Sequence, residues 1–94
     1  MLTETILIID DESFIRENVQ RILSEDGYRV LEASNGSEAL ELVGSDEVDL
    51  ALLDLNLGPE NGLEPLGALE EANPDLLVII ITGFATIDTA IEAM

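Results

Sequence analysis

Residues 6–13 read ILIIDDES, four aliphatic side chains followed directly by two aspartates and a glutamate. An apolar run without a polar interruption is typical of a parallel strand that is buried on both faces. The strand then runs into like charges, and two carboxylates about 4 Å apart repel by roughly 4 kcal/mol at an effective dielectric constant of 20. The stretch therefore predicts a central parallel strand whose end binds a positive charge.

The composition limits the size and the possible partners of the protein. A chain of 94 residues is expected to form one domain, residues 1–94. The absence of cysteine and histidine excludes disulfides, thiol catalysis and zinc–thiolate sites. With 21 acidic residues against three arginines, this segment is not expected to bind nucleic acid or an anionic membrane. The sequence also lacks a signal peptide and an apolar run of about 20 residues, which predicts a cytoplasmic protein.

Four apolar segments alternate with four amphipathic ones along the chain. The apolar segments, predicted as strands, are residues 5–10, 28–33, 49–54 and 76–82. This alternation predicts an α/β fold with a parallel sheet and helices on both faces. Right-handed crossovers favour the strand order 2-1-3-4, with the charged second strand at an edge.

Apolar spacing predicts which side of each helix packs on the sheet. The inner residues are expected to be Ile15, Val19, Ile22 and Leu23; Ala39, Leu40 and Val43; Leu63, Leu66 and Leu69; and, after Thr86, Ile87, Ala90, Ile91 and Met94. The pair Asn35-x-x-Glu38 resembles a capping box at the start of the second helix. The segment LNLGPENG (residues 55–62) is rich in turn formers and is predicted to be a loop, with a turn at Asn61-Gly62.

The last predicted strand, LLVIIIT (residues 76–82), has the composition of a central strand. The order 2-1-3-4 nevertheless puts it at an open edge, where an apolar strand promotes association. The chain also ends at Met94, within a helical pattern. We therefore expect a fifth strand and helix to be absent from this chain or supplied by another, and we expect self-association through the exposed fourth strand.

The candidate site lies where the first and third strands end. Open α/β sheets bind ligands beyond the carboxyl ends of their strands, at the point where the strand order reverses. The two strands end in Asp10 and Asp54, and Asp11 follows Asp10, so three carboxylates are expected to converge. Mg2+ is bound by carboxylates, carbonyls and waters, and beside it Asp54 could attack phosphorus to form an aspartyl phosphate. Alternatively, strand-end aspartates only cap the following helices.

Two further residues extend this site. Asn56, two residues after Asp54, could offer its backbone carbonyl to the metal ion. Thr82, at the end of the fourth strand, could donate its hydroxyl to a bound anion, for which Gly83 leaves room. A single threonine at such a place is more often a helix cap or a turn residue.

The motifs IIDDES, LLDLNL, Asn61-Gly62 and IIITG together resemble the receiver domain of two-component response regulators, in order and over essentially the whole chain. The resemblance implies a flavodoxin-like, doubly wound parallel sheet with the five-strand order 2-1-3-4-5. It further implies Mg2+ as cofactor and a sensor histidine kinase as partner, which donates the phosphoryl group from a phosphohistidine. Such a domain is not a turnover enzyme, beyond catalysing its own phosphorylation and dephosphorylation.

The resemblance also assigns a role to each site residue. Asp10 and Asp11 correspond to the acidic metal-binding pair and Asp54 to the phosphoacceptor. Asn56 then supplies a metal-binding carbonyl, and Thr82 is the switch hydroxyl. The last residues, ITGFATIDTAIEAM, are similar to sigma-54-dependent transcriptional regulators, which join a receiver to an ATPase.

The sequence departs from the family pattern in two ways, which leave alternatives open. Gly58 stands where the family usually has a proline, and the lysine and aromatic residue of the fifth strand are missing because the chain ends first. One alternative is therefore a receiver-like docking or dimerisation module that is not efficiently phosphorylated, with Phe14 and Ile15 as candidate contacts. The other is a Mg2+-dependent phosphohydrolase with Asp10 as nucleophile.

Overall fold

The computed structural model describes residues 4–45, 47–54, 56–57, 60–61 and 63–81. Its elements in chain order are β1 (Thr5–Ile9), α1 (Ser13–Glu25), β2 (Arg29–Ala33), α2 (Gly36–Ser45), β3 (Leu50–Asp54), β4 (Asn56–Leu57), β5 (Glu60–Asn61), α3 (Leu63–Ala72) and β6 (Leu77–Ile81). The predicted alternation of strands and helices is confirmed over this part of the chain. The predicted fourth helix, from Thr86, and the residues Thr82 and Gly83 lie outside it.

Four strands form one parallel sheet in the order β2-β1-β3-β6. This order is the predicted 2-1-3-4 arrangement of a flavodoxin-like fold. In the register, Ile9 of β1 faces Ala33 on one side and Leu53 on the other. The carboxyl ends of β1, β2 and β3 consequently lie level with one another at the same edge of the sheet.

The main core lies between the sheet and the helices α2 and α3. Its buried residues are Leu7, Ile9, Ala33, Ala39, Val43, Val48, Ala51, Leu53, Leu66, Leu69 and Leu76. Ile6 and Ile8 point to the opposite face of β1 and are also buried, so all five residues of this strand are inaccessible to solvent. Each fully buried aliphatic side chain contributes about 1.5–3 kcal/mol, which makes β1 the best stabilised element of the sheet.

Helix α1 packs less closely on the sheet than its sequence predicts. Val19 and Leu23 are half-buried, but Ile15 is 36% exposed and Ile22 is 57% exposed. No residue of α1 is fully buried. The prediction for Ile15 and Ile22 is wrong because the apolar stripe of the helix is wider than its contact with β1 and β2.

The inner faces of α2 and α3 were predicted more accurately. Ala39, Val43, Leu66 and Leu69 are buried as expected, whereas the side chain of Leu63 lies outside the described part of the chain. Leu40 is 40% exposed and does not belong to the core. Its place is taken by Leu42, which packs against the core because a residue three positions after Ala39 lies on the same side of the helix.

The strand β6 buries only one of its faces among the described residues. Val78 and Ile80 pack against the core, while Leu77, Ile79 and Ile81 are 68%, 51% and 41% exposed. Its sequence resembles that of a strand buried on both faces, but it stands at the end of the order β2-β1-β3-β6 and has one neighbour, β3, among the described strands. The self-association predicted through this strand stays a prediction.

The segment after β3, predicted as a loop, contains a short antiparallel strand pair. Asn56 pairs with Asn61, and Leu57 pairs with Glu60. Asn61 therefore lies in a strand rather than in the predicted turn. Two residues are too few to show the alternating pattern by which a strand is recognised in sequence, so only the turn formers between them were visible.

The capping box at the start of α2 is present with one change. The Oδ1 atom of Asn35 accepts a hydrogen bond of 2.9 Å from the backbone N–H of Glu38. The Glu38 carboxylate in turn accepts hydrogen bonds from the backbone N–H and the hydroxyl of Ser34, one residue before the expected donor. These bonds, the hydroxyl first, hold the pKa of Glu38 below its ordinary value.

Replacing Asn35 by alanine is expected to lower the free energy of unfolding by about 1 kcal/mol, because the N–H of Glu38 loses its acceptor at the helix start. Urea unfolding followed by circular dichroism measures the change. Ser37→Ala, an exposed residue in the same turn of α2, is the matched control and should leave stability nearly unchanged. An equal loss in both variants would contradict the capping role.

The lowered pKa of Glu38 predicts a pH-dependent contribution to stability. Because the folded state binds this proton more weakly than the unfolded state, the contribution is present above the ordinary pKa of 4.5 and is lost as the pH falls through the folded pKa. Glu38→Gln should therefore be less stable than the wild type at neutral pH, and the difference should shrink in acid. Urea unfolding of both proteins at neutral pH and in acid measures this difference in stability. A difference that does not change with pH would count against it.

Candidate functional site

The parallel pairing of β1 with β3 brings three aspartates together at one edge of the sheet. Asp10 follows the last residue of β1, and Asp54 is the last residue of β3. Asp11 is the next residue after Asp10, in the turn before α1. Each of the three offers a carboxylate oxygen, and these oxygens lie within 4.8 Å of one another. The convergence of carboxylates expected from the sequence is therefore present.

The three carboxylates differ in their exposure to water. Asp10 is buried, with 7% of its surface exposed, while Asp54 is half-buried and Asp11 is exposed. A buried carboxylate has a large desolvation cost unless hydrogen bonds or a counter-ion stabilise it. The cluster therefore combines a rigidly held inner ligand with outer ligands that water can reach.

Backbone hydrogen bonds hold Asp10 in place. Its N–H donates to the carbonyl of Ala33 at 3.1 Å, so the end of β1 remains tied to the end of β2. Its Oδ1 atom accepts a hydrogen bond of 2.9 Å from the N–H of Glu12. That second bond closes the turn between β1 and Glu12, the N-cap residue of α1. Asp10 does not cap the helix itself, because the cap of α1 has no side-chain hydrogen bond.

The donor set of the cluster suits a hard divalent cation. All three groups supply carboxylate oxygen, and Mg2+ is bound by one or two carboxylates together with waters and carbonyls. Softer metal ions prefer imidazole or thiolate ligands, and the chain contains neither. The exposed position of Asp11 leaves space for the waters that Mg2+ retains. The residues present therefore fit the magnesium ion that was predicted.

Two predicted site residues are not covered by this geometry. The backbone of Asn56 lies in β4, two residues after Asp54, but its side chain is outside the described part of the chain. Thr82 is also outside it. The register of β6 pairs Ile81 with Asp54, so Thr82 follows directly the residue that lies beside the third carboxylate. Their roles in the site stay predictions.

Arg16 belongs to the site, and the sequence analysis did not identify it. Its Nη1 atom donates a hydrogen bond of 2.7 Å to the backbone carbonyl of Asp10. Its Nε atom lies 3.7 Å from the Oε1 atom of Glu32 on β2. A signal existed in the sequence, because a chain with three basic residues places one of them in the first turn after its paired aspartates.

The apolar residues next to the cluster are open to solvent. Phe14, whose exposure the sequence left undecided, is 70% exposed at the start of α1. Ile15 is 36% exposed, although its spacing had placed it in the core. These two neighbouring residues place an aromatic and an aliphatic side chain at the protein surface shortly after the paired aspartates.

Among the described helices, none has the length and apolar character of a membrane-spanning segment.

Comparisons with known proteins agree on one family. Residues 6–94 match the model of the response regulator receiver domain. The chain is 39% identical over 89 residues to the alginate biosynthesis transcriptional regulatory protein AlgB of Pseudomonas aeruginosa, covering 95% of this chain and 20% of that protein. It is 33% identical over 93 residues to the sporulation initiation phosphotransferase F of Bacillus subtilis, covering 99% of this chain and 75% of that protein. The chain thus spans about a fifth of the length of AlgB.

Solved structures show the same fold. A response regulator protein from Burkholderia pseudomallei, with a phosphorylated aspartic acid, a calcium ion and citrate, superposes with a TM-score of 0.91 at 36% identity, covering 96% of this chain and 53% of that one. The response regulator TrrA of Thermotoga maritima, in complex with Mg2+ and BeF, superposes with a TM-score of 0.81 at 36% identity, covering 88% and 72%.

Neutralising one aspartate of the cluster is expected to stabilise the protein when no divalent cation is present. Asp11→Asn should raise the free energy of unfolding by up to about 1 kcal/mol, the repulsion between two carboxylates about 4 Å apart in water. Added Mg2+ should then stabilise the wild type more than the variant, because only the wild type keeps all three ligands. Thermal unfolding with EDTA and with MgCl2 measures both effects.

The matched control for that experiment is Asp75→Asn. Asp75 is exposed in the turn before β6, at the opposite edge of the sheet, and its replacement removes the same charge. Compared with Asp11→Asn, it should have little effect on the stability in EDTA and on the stabilisation by Mg2+. If both variants behaved alike, net charge and not the local cluster would explain the result.

Proposed function

The chain belongs to the response regulator receiver domain family, and from this premise we propose that it is a phosphoacceptor signalling domain that carries a phosphoryl group on Asp54. Members of this family are signalling domains and not classical enzymes. The observation that carries the proposal is the convergence of Asp10, Asp11 and Asp54 within 4.8 Å at the carboxyl ends of β1 and β3. Residues 1–94 would then be the receiver segment itself.

Asp54 is the proposed nucleophile because of its place in the cluster. It ends β3 and is half-buried, so its position is set by the sheet while a donor can still reach its carboxylate. In the transfer, an oxygen of Asp54 forms a bond to phosphorus as the bond from phosphorus to the donor breaks. The proposed donor is a phosphohistidine on a sensor histidine kinase, whose imidazole nitrogen is the leaving atom. The chain's own part is mainly to position these groups.

Asp10, Asp11 and Asp54 are the residues that would hold Mg2+, and the backbone carbonyl of Asn56 is a further proposed ligand. A bound Mg2+ offsets negative charge between the carboxylates and the incoming phosphoryl group. Two facts support this assignment: the oxygen-only donor set of the cluster, and the Mg2+ in the related TrrA structure. Asp10 contributes a ligand oriented in advance by its bond to Glu12.

Thr82 is the proposed switch residue. It follows Ile81, which pairs with Asp54 in the register of the sheet, and its hydroxyl is the proposed donor to a phosphoryl group on Asp54. A bond formed only in the phosphorylated state would shift the population of the segment after β6. The chain would in this way convert a modification at one strand end into a change at the neighbouring strand.

The biological setting is proposed from the relatives and from the surface. AlgB is a transcriptional regulatory protein of which this chain spans a fifth, which supports a receiver that serves a longer transcriptional regulator of the sigma-54-dependent type. The exposed residues Phe14 and Ile15, close to the cluster, are proposed contacts for the kinase. With a net charge of −18, this segment is not expected to contact nucleic acid itself, and a cytoplasmic location fits these partners.

Incubation with MgCl2 and acetyl phosphate is expected to add one phosphoryl group, detected by intact-mass spectrometry. Asp54→Asn should abolish the adduct, because an amide cannot replace the carboxylate as nucleophile, and EDTA should reduce it strongly. Asp75→Asn, which removes a carboxylate far from the cluster, should still be labelled. An adduct that survives Asp54→Asn would overturn the assignment of the phosphoacceptor.

A further inference from the structure

The main chain at Asp10 is held at both of its polar groups. Its N–H donates to the carbonyl of Ala33 at 3.1 Å, and its own carbonyl accepts from Nη1 of Arg16 at 2.7 Å. That carbonyl belongs to the planar peptide group that joins Asp10 to Asp11. Holding its oxygen therefore fixes the direction in which the chain continues to Asp11. The contact determines how the first two carboxylates of the cluster lie relative to each other.

The guanidinium group of Arg16 is itself anchored to a second strand. Its side chain is 18% exposed, and its Nε atom lies 3.7 Å from Oε1 of Glu32, on the edge strand β2. The backbone N–H of Arg16 donates to the carbonyl of Glu12 at 3.1 Å, in the first turn of α1. The guanidinium group thus connects the main chain at Asp10 with β2, while the backbone of Arg16 belongs to the first turn of α1. A planar guanidinium with donors in fixed directions is suited to such a connection, which the ammonium group of lysine cannot reproduce.

Arg16 can influence Mg2+ binding in two opposite ways. As a cation near three carboxylates, it competes with Mg2+ and lowers the affinity. As a donor to the peptide between Asp10 and Asp11, it holds two ligands in place and raises the affinity. The carboxylate of Glu32 beside it carries the opposite charge, and the hydrogen bond to the carbonyl is direct and short. The second effect should therefore dominate.

We propose that Arg16 is a positioning residue of the metal site, which fixes the peptide group between Asp10 and Asp11 and is held in place by Glu32. The inference rests on the proposed function, in which these carboxylates bind Mg2+. It assigns to Arg16 no contact with the ion or with the phosphoryl group. Its effect is to raise Mg2+ affinity through the geometry of the two aspartates.

The sign of the change in Mg2+ affinity tests the proposal. Isothermal titration of the full chain with MgCl2 should show about tenfold weaker binding in Arg16→Met. This is the lower end of the loss in metal affinity that follows when a group orienting a metal ligand is removed. Arg21→Met is the matched control, since Arg21 lies on the same helix, is exposed and bonds Asn18. It removes the same charge and should leave the affinity unchanged or slightly tighter.

A charge-conserving variant and a double-variant comparison separate positioning from charge. Arg16→Lys keeps the charge but not the planar donor group, so it should weaken binding to an intermediate degree. Glu32→Gln should also weaken it, and adding Glu32→Gln to Arg16→Met should have little further effect, because both act through one contact. Arg16→Lys carries the test if Arg16→Met does not fold, which thermal unfolding in EDTA shows. The loss of Mg2+ affinity should persist at 0.5 M salt, where the Debye length is about 4 Å and electrostatic interactions over longer distances are screened.

The outcomes distinguish this inference from the proposed function. Binding in Arg16→Met as tight as in the wild type, or tighter, would overturn the positioning role while leaving the metal site intact. Wild-type protein that binds no Mg2+ would overturn both. Weaker binding in Arg16→Met and unchanged binding in Arg21→Met support the proposal.

Discussion

The parallel pairing of β1 with its two neighbours is the constraint on which the rest of the structure depends. All five residues of β1 are buried, and the strand pairs with β2 on one side and β3 on the other. Because parallel strands end at the same edge, the pairing with β3 places Asp10 beside Asp54 before any side chain contributes. The pairing with β2 places the Ala33 carbonyl where it accepts the N–H of Asp10. The apolar core thus determines where the charged cluster forms.

Aspartates lie at both ends of the parallel strands, and their roles differ between the two ends. At the amino end, Asp49 accepts a hydrogen bond of 2.7 Å from the N–H of Thr5, and its own N–H donates to the Thr5 carbonyl. This aspartate joins β1 to β3 and has a structural role. At the carboxyl end, Asp10, Asp11 and Asp54 repel one another within 4.8 Å. Carboxylates this close together raise the free energy of the folded chain unless a positive charge offsets their repulsion.

The contacts around Asp10 hold its main chain and one of its carboxylate oxygens. The N–H of Glu12 bonds Asp10, and the charge of Arg16 lies on the main-chain side of the site, beside Glu32. These contacts fix the backbone that carries Asp10 and Asp11. The start of α1 continues directly from this rigid turn and presents Phe14 to solvent.

The sequence by itself determined the strand order, the parallel sheet and the three carboxylates of the site, because each depends on patterns repeated over several residues. Only the tertiary structure decided how far each apolar face is buried: Ile22 and Leu40 follow the expected spacing, yet both are exposed because their helices contact the sheet along a narrow line. It alone also showed the strand pair of Asn56 with Asn61. Arg16 is the clearest case, since its partners Asp10 and Glu32 lie 6 and 16 positions away in the chain. A contact between separate elements has no local sequence pattern, so it appears only when the strands are paired.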